Sequence, residues 1–284
     1  MGPRLSDLVP AQLQNGTYTL PMYRDEHQNQ IQPSSPVITK TEGNSNKKAT
    51  LDLSMTELTK LPSNMLTKRR GGSLRVLKLN SNYLRTLSHD ISNLKNLREL
   101  HVQYNQQEYI HPSVWTLPKL ELLDLSFNSI ATIPAEIHCL GKTMTKLYLS
   151  YNSIYKLPDQ FGLLYELVEL DLSSNKFNHI PQAILNLNRN LRRLNLENNN
   201  ISYISKDVSK LKGLRELNLL RNPINTIHQK AMDYLLGLEI FRFGTENTNR
   251  NNVLTNPSGG VGRQRLKLPT IPRYDSSHHS GSLT

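Results

Sequence analysis

One phrase recurs along this chain, and it limits the possible folds more than any other feature. LELLDLSFNSIATIP, at residues 120–134, sets Leu120, Leu123, Leu125, Ile130 and Ile133 at offsets of three, two, five and three, with Asn128 in the longest gap. That rhythm is neither the 3.6 period of a helix nor the period of two of a strand. The phrase returns from Leu74, Leu97, Met144, Leu167, Leu191 and Leu214, and a weaker copy from Ala49 has Thr56 where the others have Asn. The marker positions 56, 82, 105, 128, 152, 175, 199 and 222 are 26, 23, 23, 24, 23, 24 and 23 residues apart. A fixed period of this length means stacked structural units.

Each unit reads as one coil. The L-x-L segment is a short strand with alternate side chains facing one way, and the flanking Leu and Ile residues close the same interior from its other walls. One coil cannot enclose its apolar side chains, whereas stacked coils bury them continuously, at ~1.5–3 kcal/mol for each fully buried Leu or Ile. The Asn side chain both donates and accepts. At the strand end it can satisfy backbone groups that would otherwise be orphaned, so a column from Asn82 to Asn222 is expected to tie the coils together.

The L-x-x-L-x-L-x-x-N-x-L pattern over residues 49–246 resembles the leucine-rich repeat family. The resemblance implies an α/β fold: a right-handed curved solenoid of about eight 23–24-residue repeats, with a parallel concave sheet and an irregular or helical convex side. Leu61-Pro62, Ile133-Pro134, Leu157-Pro158 and Ile180-Pro181 close several units. Together with the 23-residue period they are similar to the intracellular Ras-related subclass, which includes Ras-suppressor-like and scribble-like proteins. Ser88, Ser205 and His228 stand where that pattern has Pro, and in the third unit the Pro is displaced to Pro112. The segment QKAMDYLLGL from Gln229, followed by EIFRFG, reads as a closing helical turn and strand that cap the stack.

Residues 1–48 and 247–284 are polar, rich in Pro, Asn, Ser or Gly, and without period, so they are expected to be disordered tails. Cys139 is the only cysteine, which excludes an intrachain disulfide and fits a reducing, cytoplasmic setting. No apolar run is long enough for a spanning helix, and the start has no secretory h-region. The net charge of +11 divides as +1 over residues 1–48, +6 over 49–246 and +4 over 247–284, so no single basic tail holds it.

Signs of catalysis are weak. Gly141-Lys142-Thr143 resembles the end of a phosphate loop, but Glu136 stands where the motif needs Gly. MGPRLS formally fits N-myristoylation at Gly2, yet Pro3 adjoins the acceptor. His278-His279 lacks further ligands at metal spacing, and Ser35-Pro36 reads as a linker serine or a phosphorylation site. No catalytic constellation, cofactor or metal is expected.

Function is therefore sought in the variable letters that face out from the concave sheet. His101, Asp124, Tyr148 and Asp171 fall in one outward column, and Tyr104, Phe127 and Tyr151 in another just before the Asn. Large aromatics with polar tips are enriched at interface hot spots. These seven residues are the candidate site for another protein, docked by a monomeric scaffold or adaptor in intracellular signalling or assembly. The alternative is an anionic partner, a membrane surface met peripherally or a nucleic acid, on a ridge of Arg189, Arg192, Arg193, Lys210, Lys212 and Arg215. No RNA-recognition or zinc-finger spacing supports nucleic acid. Gln107 takes a position that is Leu or Ile in most other units. A buried amide without partners costs about 1–3 kcal/mol, so either the loop is pushed outward or its polarity is used, and a local irregularity is expected at Asn105–Tyr109.

Overall fold

The computed structural model describes residues 49–61, 66, 72–187, 189–244 and 252–255. The candidates at Gly2, Ser35-Pro36 and His278-His279, and most of both tails, lie outside them. The repeated L-x-L segments form short strands: β1 (Thr50–Asp52), β2 (Val76–Lys78), β3 (Glu99–His101), β4 (Leu122–Asp124), β5 (Lys146–Tyr148), β6 (Glu169–Asp171) and β7 (Arg193–Asn195). They continue in β9 (Glu216–Leu220) and β11 (Ile240–Gly244), and these nine strands pair in parallel, each with the next. β8 (Tyr203–Ile204) and β10 (Thr226–Ile227) make a small second sheet on the flank. The main sheet extends past residue 246 by one more strand, β12 (Asn252–Thr255), antiparallel to β11. The fold is a curved leucine-rich-repeat solenoid.

Opposite the sheet run short 3₁₀ segments at His89–Asn93, Pro112–Thr116, Ala135–Leu140, Asp159–Leu163, Gln182–Asn186 and Lys206–Lys210, then helix α1 (Gln229–Leu235). Their first residues explain the uneven prolines. Where the unit has Pro134, Pro158 or Pro181, the ring presets the extended backbone that enters the turn, and no side chain caps it. Where Pro is missing, Ser88, His111, Ser205 and His228 each accept the N–H two residues on through the side chain. Proline and capping side chain are two solutions to one entry turn. Gly141 has a packing role here: a Cβ on it would lie 2.2 Å from the Leu163 carbonyl oxygen.

Between the two walls the phrase's Leu and Ile letters form one buried core from Leu51 to Phe243. The asparagine column closes its edge as expected. Asn105 Nδ2 donates to the carbonyls of Leu79 in the unit before (2.9 Å) and Val102 in its own (3.0 Å), while Oδ1 accepts the Leu84 N–H (3.0 Å). Asn128, Asn152, Asn175, Asn199 and Asn222 repeat this. Thr56 has no described unit before it to serve. Its hydroxyl still reaches the Leu53 carbonyl at 2.8 Å.

To aim each Asn inward, the residue before it turns left-handed. Met55, Ser81, Tyr104, Phe127, Tyr151, Ser174, Asn198 and Arg221 all have φ between 51° and 58°. For residues other than Gly this costs of order 1–3 kcal/mol each. The parallel ladder offsets it by running on into the turn, as in Phe127 N–H to Ser150 O (2.9 Å) and Tyr151 N–H to Ser173 O (3.0 Å).

Gln107 overturns the expected irregularity. It is fully buried in regular register: its N–H donates to Asn128 Oδ1 (2.9 Å) and its Nε2 to the Leu84 carbonyl (2.8 Å). Only its Oε1 lacks a partner. The Leu84 carbonyl also accepts the Gln106 N–H (3.1 Å), so it keeps a bond without Gln107. Gln107→Leu should therefore raise stability by about 1 kcal/mol, by removing a buried unpaired acceptor. Asn175→Ala, which strands buried groups in two units, should lower it by about 2–4 kcal/mol. Urea unfolding of the two variants beside the parent checks both signs.

Candidate functional site on the concave sheet

The strand register sets the concave face out in rows across the solenoid. The middle row runs Lys78, His101, Asp124, Tyr148, Asp171, Asn195, Asn218 and Arg242. Asp and Asn recur in it for a local reason. The three-residue strands end here, and there, as within the longer β9, the N–H two residues on needs an acceptor. Asp52, Asp124, Asp171, Asn195 and Asn218 supply it through Oδ1, to Ser54, Ser126, Ser173, Glu197 and Leu220 at 2.8–3.1 Å.

The structure divides the seven candidate residues into two neighbouring groups. Tyr104, Phe127 and Tyr151, on the left-handed turns, form a continuous ring stack. Their centroids are 4.2 and 4.1 Å apart and the interplanar angles are 14° and 11°. His101, Asp124, Tyr148 and Asp171 lie in the middle row, and Tyr148 is outside the stack. Burial first, then the nearby carboxylates of Glu169 and Asp124, hold the Tyr148 hydroxyl far above the usual phenol range.

The sequence reading missed the row at the other end of each strand: Glu99, Leu122, Lys146, Glu169, Arg193 and Glu216. Its residues also face out, two before the middle row, as strand alternation requires. They carry two of the charged contacts of the face. Glu99 sits 3.6 Å from His101 Nε2, and Arg193 pairs with Glu169 at 3.0 Å. A shallow open depression of about 190 Å³ continues the face past Asp171, lined among others by Arg193, Asn195, Glu216, Asn218 and Arg242.

Residues of the alternative cationic ridge are engaged by several partners. Arg193 stands on the sheet against Glu169. Arg192 turns to the carbonyls of Arg189 (2.7 Å) and Gly213 (3.0 Å). Lys210 pairs with Asp207 (3.0 Å) and Arg215 with Glu239 (3.5 Å). Cys139 is exposed on the convex wall. Among the described residues no group of three or more His, Cys, Asp or Glu is placed to hold a metal.

Comparison with known proteins agrees with the coil geometry. Family models described as leucine-rich repeat match residues 119–140, 166–187 and 189–241. A mouse protein, Podocan-like protein 1, is 37% identical over 91 residues, which is 31% of this chain and 15% of that protein. A leucine-rich-repeat protein of Leptospira interrogans superposes with a TM-score of 0.50 at 30% identity, covering 64% of this chain and 56% of its own. A chain of the Drosophila Toll–Spatzle complex superposes with a TM-score of 0.59 at 23% identity, over 69% of this chain and 26% of that one. This chain thus spans only part of each.

Burial is the largest influence on both middle-row acids, and it pushes the carboxyls of Asp124 and Asp171 above the usual carboxylate range despite the Ser126 and Ser173 hydrogen bonds. A carboxyl whose folded value is raised above its unfolded one lowers stability when ionised. That penalty is fully present above the raised value and is relieved as pH falls through it towards the unfolded range. Asn does the same turn-closing work at 195 and 218. Asp171→Asn is therefore expected to keep the fold and raise the thermal midpoint at neutral pH by about 2–4 °C. The gain should shrink as pH is lowered through the acid range, and thermal melts of parent and variant against pH measure it.

Proposed function

We propose that this leucine-rich-repeat solenoid docks a protein partner on its concave sheet, as a non-enzymatic scaffold or adaptor in intracellular signalling or assembly. The observation that carries the reading is the pairing of the Tyr104–Phe127–Tyr151 stack with the half-buried acids of the adjoining row. Stacked rings give a rigid contact area that loses little side-chain entropy on binding, and polar groups beside them give direction. A chain of the Toll–Spatzle complex shares this coil architecture. The single, exposed Cys139 and the proline-closed, 23-residue units support a reducing compartment and the Ras-related subclass. The chain acts as a monomer in this reading. An anionic polymer on the basic residues 189–215 is disfavoured, because Arg193, Lys210 and Arg215 already face carboxylates.

A photo-reactive residue at position 127 should cross-link a discrete protein in cells, while the same residue at exposed, convex Tyr165 should not. Phe127→Ala with Tyr148→Ala should weaken capture at least ~10-fold, and moderate salt should weaken it little. Adducts confined to position 165, or undiminished capture by the double variant, would overturn concave docking.

A further inference from the structure

The ring stack ends at an open face beside a carboxylate. Phe127 covers one side of Tyr151, and at the next rung the left-handed position holds Ser174. Among the described residues no ring stacks on the far side of Tyr151. Ser174 Oγ is taken up in the opposite direction, accepting from Asn198 Nδ2 at 3.0 Å. A small side chain thus leaves room for a flat group against the ring. Asp171 lies two hydrogen bonds away: Tyr151 N–H donates to the Ser173 carbonyl (3.0 Å), and Ser173 N–H donates to the Asp171 carboxylate (2.8 Å). Among the described residues Asp171 and Asp124 have no cation within ion-pairing distance, whereas neighbouring Glu169 is held by Arg193.

One side chain fits both features. A guanidinium is planar, stacks on aromatic faces, and gives a carboxylate two parallel donors. An ammonium meets the charge but not the flat face, and a ring or proline meets the face but leaves the acid unpaired. The register supplies a second anchor. Asp124 and Asp171 flank Tyr148, two strands apart, or ~9.6 Å at ~4.8 Å per strand. A polyproline-II segment rises ~9.3 Å in three residues and returns side chains i and i+3 to the same side.

We propose that the partner presents an extended basic segment with two cations three residues apart, an arginine stacked on Tyr151 and paired to Asp171, and the second cation at Asp124. The inference rests on the concave docking reading and names the chemistry of its ligand.

The test uses the full chain and the labelled peptide Pro-Arg-Pro-Pro-Arg-Pro. Its comparators replace Arg by Lys or by Glu, or separate the two arginines by four prolines, with affinity read by fluorescence anisotropy at ~150 mM salt. The arginine peptide should bind best, with the lysine and long-spacing forms about 5–10-fold weaker and the glutamate form silent. Asp171→Asn should weaken the arginine peptide about tenfold without lowering the thermal midpoint. Tyr151→Leu should abolish the preference for Arg over Lys, and Tyr165→Ala should change nothing. No binding of the arginine peptide overturns the proposal. So does equal binding of all cationic forms with steep salt dependence, since that is diffuse attraction. If position 127 cross-links a protein while the peptides fail, concave docking stands and this proposal falls. If both fail, neither survives.

Discussion

Everything on the concave face depends on the asparagine that closes each coil. Its amide serves two units at once, through carbonyls in its own coil and the one before and an N–H of the previous coil. A buried group with that many obligations must be aimed closely, and the backbone does so by entering the left-handed region one residue earlier. That residue cannot point inward. The hydrogen bonding of the core therefore creates, unit after unit, a side chain projecting from the rim of the sheet. Three successive units fill the position with Tyr104, Phe127 and Tyr151, and the coil repeat brings their rings to stacking distance.

The middle row follows the same logic. A strand of three residues leaves the N–H beyond it without a partner, and an Asp or Asn side chain closes that turn, as Asn218 does for Leu220 within the longer β9. The fold requires a short side chain with an acceptor oxygen but does not require charge. Asn195 and Asn218 satisfy the turn as neutral groups, whereas Asp124 and Asp171 satisfy it with carboxyls that burial makes reluctant to ionise. The difference between Asp and Asn at these positions is free to serve recognition.

Legibility in the sequence tracked periodicity. The core leucines, the asparagine column and the closing helix and strand could be read because each belongs to a repeated pattern. Gln107 was misread because its partner, the Leu84 carbonyl, lies 23 residues back on the neighbouring coil, and no local rule reveals it. Ser88, Ser205 and His228 looked like lapses from a proline rule until the structure showed them capping the same turn with a side chain. The Glu99–Glu169–Arg193 row was overlooked because attention went to letters after the central Leu, although alternation exposes the one before it equally. Tyr148 was grouped with the other aromatics by residue type, and its register sets it apart, in the row of Asp124 and Asp171 and under the influence of Glu169.

What separates recognition from architecture on this face is unnecessary cost. Ser81, Ser174 and Asn198 make the left-handed turn with small or polar side chains, so the turn itself does not call for a bulky ring. The rings at 104, 127 and 151 meet the same backbone requirement while leaving part of their apolar surface in water. Half-buried carboxyls at 124 and 171 replace amides that would serve the turn with a smaller desolvation penalty. A local choice that lowers stability with no gain to the fold is expected where binding supplies the compensating energy. In this solenoid those choices fall in adjacent coils, from the third unit to the sixth, and converge on the step between Tyr151 and Asp171.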